Sequence, residues 1–335
     1  MPLKRVVTKS LLRGLTSLSK FVFKNVFRQV GQAGLGPKLF PTPKPGIIVM
    51  EALVGGTFEA DFGPQGLNRE DAKRVADLVR NLHKLDTRGS VEVAAQNTRA
   101  LVEAKMEDCG MTTKDDLEQI WKTRGGYGML LLWWWGVAYP QWLKRHHPTL
   151  LPLREEYRSR VMALIIRVLR LKTKTRTMMT SLRFSHADLW SGNLLRKDNN
   201  KILAIDFEMA TTAPGFVDLG GLLFNWDFHF EENLKYLDPR IRETMVANYL
   251  GQSLERTEVN EALFDLEIGF LHRFIFVLLC KHLDVKEDVC LEEIMLVHKG
   301  EMMANALERE EPFEEVQRRL VEQGVHIFVQ RTPKN

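Results

Sequence analysis

Residues 184–228 constrain the fold of this chain more tightly than any other stretch. They read Phe184-Ser-His186-Ala-Asp188-Leu-Trp-Ser-Gly192-Asn193-Leu-Leu, a short polar turn, then Ile202-Leu-Ala-Ile205-Asp206-Phe207-Glu208; Asp218-Leu219-Gly220 and Trp226 follow. Asp188 stands five residues before Asn193, and Asp206 ends an apolar run thirteen residues further on. Phosphoryl transfer from a magnesium nucleotide needs such a set. One carboxylate must orient and deprotonate the attacking hydroxyl, while an amide oxygen and a second carboxylate hold hard cations against the phosphates. Lys197-Asp-Asn-Asn-Lys201 has the composition of a hairpin turn, which predicts that the two halves lie on adjacent strands. A lone Asp with an Asn five residues on is common and means little. The joint pattern through Asp218 and Gly220 is rare by chance, and an ordinary hairpin with solvated carboxylates accounts for it poorly.

His-x-Asp-x-x-x-x-Asn is also the spacing of a kinase catalytic loop. With Ile205-Asp-Phe-Glu208, Asp218-Leu-Gly220 and Trp226 eight residues after Asp218, the stretch resembles the choline/ethanolamine kinases within the wider aminoglycoside-phosphotransferase-like group. That resemblance implies an α+β, two-lobed protein-kinase-like fold, with residues 1–52 as a reduced N-lobe and 53–335 as a mostly helical C-lobe. It implies ATP and Mg2+ as cofactors and choline or ethanolamine as the acceptor. By the same resemblance Asp188 is the catalytic base, with His186 beside it in the loop, and Asn193 and Asp206 are the magnesium ligands. Glu208 would lie near a second metal or the substrate's positive end, and Trp226 beside the substrate pocket.

Composition narrows the alternatives. A chain of 335 residues, 44% hydrophobic and 27% charged, is long enough for one large core or two lobes. No apolar run has the length of a membrane span, and Met129–Trp135 is the greasiest stretch. Cys109, Cys280 and Cys290 are widely spaced, without CxxC or His-rich spacing, which suits free thiols in a reducing compartment better than a zinc site. The net charge of +4 hides an asymmetry: residues 1–50 hold nine Lys or Arg and no acid, against 38 basic and 43 acidic residues in the remainder. A nucleic-acid partner is not expected, because the body of the chain lacks a basic surface interleaved with aromatics. A cytoplasmic location is expected, with organelle targeting through the acid-free N-terminus as the alternative. A homodimer is compatible with all of this.

Along the chain, Leu3, Val6, Val7, Leu11, Leu15, Leu18 and Val22 recur at roughly helical spacing, Phe23–Ala33 continues as helix, and Gly34-Leu-Gly36-Pro37 stops it. The sequence departs from the kinase pattern here. No glycine-rich phosphate loop precedes the helix, Phe23 stands where the paired Glu is expected, and Lys4 and Lys9 are the only loose candidates for its lysine. A truncated start, a misassigned start or impaired catalysis would each account for that. Gly46–Met50 reads as a buried strand. The Glu51-Ala-Leu53 that follows resembles an interlobe hinge, whose backbone groups at Glu51 and Leu53 would meet the adenine edge.

Further on, Asn68 is a plausible N-cap for a helix carrying Val75, Leu78, Val79, Leu82 and Leu85, and His83 reads as a hydrogen-bonded core histidine. Residues 95–180 read as helical, with Thr113 opening one helix, Glu155–Leu171 forming another, and Lys172–Arg176 as a solvated link. Trp133-Trp134-Trp135 suggests an aromatic cation cage, but consecutive helical residues point in different directions, so helix core is the better reading. Glu243–Leu250, Val259–Leu279 and Leu291–Leu307 read as three more helices, and Val325–Val329 as an added strand. By the resemblance, Phe276 is a substrate contact, and Phe276 and Leu279 replace two tryptophans, which thins the cage for choline. A binding protein without turnover, or a kinase of another hydroxylated substrate such as an aminoglycoside or sugar, are the competing functions.

Overall fold

The computed structural model describes residues 16–41, 49–52, 56–57, 67–106, 113–197, 200–228, 239–251, 255–281 and 291–311. Leu53 and the proposed strand at 325–329 lie outside them, as do the side chains around Trp226. In order, the chain forms α1 (Thr16–Gln32), β1 (Leu39–Phe40), β2 (Val49–Met50), β3 (Gly56–Thr57), α2 (Arg69–Leu82), α3 (Arg88–Met106) and α4 (Lys114–Trp133). A π-helical turn (Trp134–Ala138) leads into α5 (Tyr139–His146), α6 (Leu150–Leu153) and α7 (Glu155–Leu169). Then come β4 (Leu182–Ser185), β5 (Leu194–Arg196), β6 (Ile202–Ala204), β7 (Thr211–Pro214), α8 (Phe216–Phe228), α9 (Pro239–Leu250), α10 (Arg256–Lys281) and α11 (Leu291–Glu308). This is an α+β fold in which short antiparallel strands sit among helices.

Local chemistry sets several of these boundaries. The Asn68 side chain accepts the Asp71 N–H at 2.9 Å, and acids in the first turn with Arg80 in the last suit the helix dipole. Thr113 opens α4 with a reciprocal capping box, its hydroxyl accepting the Asp116 N–H at 3.1 Å. Gly125 breaks α4 with φ 59°. A Cβ there would stand 2.8 Å from Thr212 O, so the glycine lets the helix run against β7.

Trp134 and Trp135 are buried and only Trp133 is partly exposed, as expected of three consecutive helical residues. Trp135 stacks on Tyr139 with centroids 4.5 Å apart, and its indole N–H donates to Arg158 O at 2.9 Å.

In the link Lys172–Arg176 the three basic residues are exposed as expected, but Thr175 is buried and the backbone is anchored. Asp265 of α10 accepts the N–H of Lys174 at 2.8 Å, the N–H of Thr175 at 2.9 Å and the Thr175 hydroxyl at 2.6 Å. Burial still pushes the Asp265 carboxyl above its usual range. The anchor that pins this segment comes from a helix far along the chain. The helices α7 and α11 lie side by side, joined by Arg160–Glu301 at 2.8 Å and Arg167–Glu308 at 2.7 Å.

Two contacts aim the rest of the fold at residues 184–208. The predicted hairpin is present: β5 pairs antiparallel with β6, Leu194 opposite Ala204, and β4 pairs with β7, Ser185 opposite Thr211. α8 crosses α10 at Gly220 and Gly269, where a Cβ on Gly220 would come within 2.2 Å of the Gly269 carbonyl carbon. That crossing is as close as two backbones can pack.

Candidate functional site

After β4 the chain turns sharply through His186 and Ala187, and Ala187 takes the left-handed conformation with φ 63°. For a residue with a Cβ this conformation costs energy. The compensation comes from Asp218 in the first turn of α8, which is fully buried. Its carboxylate accepts the His186 N–H at 2.8 Å, the Ala187 N–H at 2.8 Å and the His83 Nε2–H at 2.9 Å. His83 Nδ1 lies 2.7 Å from the Tyr249 hydroxyl. Burial by itself pushes the Asp218 carboxyl up; the hydrogen bond and charge of His83, with His186, bring it net below the usual range. Asp218 is therefore a buried anion that moulds the loop from behind. His83 is the hydrogen-bonded core histidine that the sequence led us to expect.

The other half of the site is fastened to the same loop. His186 is fully buried, and its ring Nε2 lies 2.7 Å from Ile205 O; a carbonyl only accepts, so Nε2 carries the proton. The ring also packs at 4.6 Å on Phe207. His186 thus joins the loop to the strand that ends at Asp206, and its ring is buried away from solvent. Asn193 donates through Nδ2 to Asp188 O at 2.8 Å, and its backbone carbonyl accepts the Ile205 N–H at 2.9 Å. The amide Nδ2 is thereby engaged, and that bond does not use Oδ1. Asp206 is exposed, with φ 61°, a conformation Asp tolerates better than most residues. Asp188, Asn193 and Asp206, expected together from spacing alone, are brought onto adjoining backbone.

An amide oxygen and a carboxylate suit magnesium, which keeps waters and shares its shell with phosphates. Among the described residues there is no group of three or more His, Cys, Asp or Glu that could cage a metal alone. Glu208 follows Asp206 in a short 3-10 turn and is half-buried.

Two expected contacts turn out differently. Phe276 is buried, it packs with Trp134 in a T-shaped pair with centroids 5.7 Å apart, and the Arg273 guanidinium lies over its ring at 4.9 Å. Its π face already meets a cation of the protein, so it is not an open substrate contact; Leu279 is also fully buried. The Glu51 N–H donates to Lys38 O at 2.8 Å, which leaves only its C=O for a nucleotide edge. Its carboxylate holds the Lys38 N–H at 3.2 Å and Lys197 Nζ at 3.1 Å, and the Lys197 bond above all lowers its pKa. Sequence reasoning missed Arg273 altogether. Its guanidinium pairs with Asp188 Oδ1 from α10, and nothing near it in sequence marks it out.

Residues 33–258 match the model of a family described as APH, phosphotransferase enzyme family. No curated protein sequence matches the chain. Among solved structures, the ethanolamine kinase of Plasmodium vivax is 14% identical, with 85% of this chain and 72% of that chain covered and a TM-score of 0.51. The choline kinase of Cryptosporidium parvum Iowa II is 16% identical, with 91% and 79% covered and a TM-score of 0.51. At such identities the likeness is one of fold, and it bears out the kinase-like α+β architecture expected from residues 184–228. No helix of the described residues is long and apolar enough to cross a membrane.

Proposed function

Because the chain belongs to the phosphotransferase enzyme family, we propose that it transfers the terminal phosphoryl group of ATP to the hydroxyl of a small amino alcohol, ethanolamine ahead of choline. The observation that carries this reading is the fastening of Asp188, Asn193 and Asp206 into one loop-and-strand unit through Asn193 and His186. Asp188 takes the proton from the acceptor hydroxyl as its oxygen bonds to the γ-phosphorus and the bond to ADP breaks. Asn193 Oδ1 and the Asp206 carboxylate would hold magnesium, which neutralises the charge on the phosphates when bound. Glu208, next to this unit, supplies a carboxylate to the acceptor's ammonium.

The order of acceptors follows from chemistry at the positive end. A quaternary ammonium has no N–H to donate and depends on aromatic faces, whereas a primary ammonium offers three donors to carboxylates. With the Phe276 face under Arg273 and Leu279 in place of an aromatic, two faces worth ~0.5–2 kcal/mol each are missing, or roughly one to three orders of magnitude for choline. The same guanidinium favours a second reading, a neutral hydroxylated acceptor such as a sugar. The test is catalytic efficiency with ethanolamine, its methylated forms, choline, an aminoglycoside and a sugar, at saturating magnesium and ATP. A preference for ethanolamine of about tenfold or more over choline is expected. A preference for choline would overturn the acceptor assignment, and nucleotide binding without turnover on any acceptor would overturn the transfer itself.

A further inference from the structure

The loop that carries Asp188 is short and irregular, yet a base must be held within a fraction of an ångström to act. Asp188 gains that restraint from outside its loop. Arg273 lies one helical turn beyond Gly269, the point where α10 presses against α8. Its stem runs along the neighbouring glycine of α8: a Cβ on Gly221 would stand 2.9 Å from Leu189 O and 3.9 Å from Arg273 Cδ. Its guanidinium is seated over the Phe276 ring at 4.9 Å and donates to one oxygen of Asp188, Oδ1. The Arg273 side chain is 9% exposed and that of Asp188 20%.

Arg273 is an uneconomical way to stabilise the fold. Its Nε–H is buried without a partner, and among the described residues Asp188 is its only hydrogen-bonding anion. A buried guanidinium left partly unsatisfied gives back in desolvation much of what its ion pair provides. We propose that Arg273 is the positioning residue of the site, which fixes the rotamer of Asp188 by holding Oδ1 and so presents Oδ2 to the acceptor hydroxyl. The proposal rests on Asp188 being the base. Its effect on kcat passes through that carboxylate.

A kinetic cycle over wild type, R273M, D188N and the double variant separates the two ideas. R273M should lower kcat by about 10- to 100-fold, with KM for ATP and acceptor changed less than about twofold. In the D188N background R273M should cost no further kcat, since there is no base left to position. Guanidinium ion added to R273A at non-denaturing concentration should restore part of the lost kcat. An unfolding cycle on the same four proteins should show coupling between positions 188 and 273.

Wild-type kcat in R273M overturns the proposal, and so does an equal fold-loss in both backgrounds, which would mark Arg273 as structural. If D188N itself keeps wild-type kcat, the base assignment fails instead. Should R273M not fold, R273K keeps the charge but cannot reproduce the guanidinium reach; kcat should fall at least about threefold at an unchanged melting temperature. Wild-type kcat in R273K then overturns the proposal.

Discussion

Replacing Asp218 with Asn tests how the loop is moulded. Three N–H groups converge on a fully buried carboxylate, at 2.8, 2.8 and 2.9 Å. An amide keeps one accepting oxygen and turns the other into a donor, so at least one of the three N–H groups faces another N–H. The loss is a charge-assisted hydrogen bond, ~1.5–3 kcal/mol, plus a buried donor left unmade, ~1–3 kcal/mol. We take roughly 3–5 kcal/mol for the variant, the range for breaking a buried pair. With a urea m-value near 3 kcal/mol/M, the midpoint should fall by about 1–1.7 M.

The pH dependence has a definite sign. The folded pKa of Asp218 is depressed, so its stabilisation is full above an unfolded pKa of about 4 and is lost as pH falls through the folded value. The gap between wild type and D218N should therefore be widest near neutrality and narrow in acid. Urea unfolding followed by circular dichroism at several pH values measures it. A wild-type midpoint in D218N, or a gap that widens on acidification, would falsify the account of the loop.

Two further substitutions probe the site and its support. D206N should abolish turnover at a near-native melting temperature, because the side chain is exposed and Asn tolerates φ 61°. D206A removes the short polar side chain that lets Asp and Asn occupy the left-handed region, at ~1 kcal/mol or more, so a folded D206N with full activity is the cleaner refutation. G269A would put a Cβ 2.0 Å from Phe216 O; it should cost at least ~1–3 kcal/mol as an overpacked contact and lower kcat by shifting Arg273. Wild-type thermal unfolding of G269A would show that α8 and α10 do not need so close a crossing.

The two kinds of information in this chain differ in how far they reach along it. The adjoining placement of Asp188, Asn193 and Asp206 was readable because they flank one hairpin, which has its own turn signal at Lys197–Lys201. Helix starts at Asn68 and Thr113 were readable for the same local reason. Asp218 stood out in the pattern without a task, because its partners lie 31, 32 and 135 residues away. Arg273 was not readable at all: it sits 85 residues from Asp188, in a helix whose periodicity speaks only of burial. The link at 172–176 is solvated at its basic residues as read, but its anchor was not readable, because Asp265 lies about ninety residues further along the chain. Phe276 was misassigned because an aromatic in sequence does not disclose what covers its face.

The two ion pairs between α7 and α11 carry a consequence of a different kind. Both join residues 141 positions apart, so the helices run in the same direction with a repeat of seven. As exposed pairs each adds little to stability, about 0–1 kcal/mol. Their contribution is alignment. A slip of one turn toward the start of α11 would set Arg160 against Val297 and Arg167 against Ala304, both fully buried, and would press two guanidinium groups onto the apolar seam. The pairs work as a key: they leave the correct lock no tighter, but they close a neighbouring one.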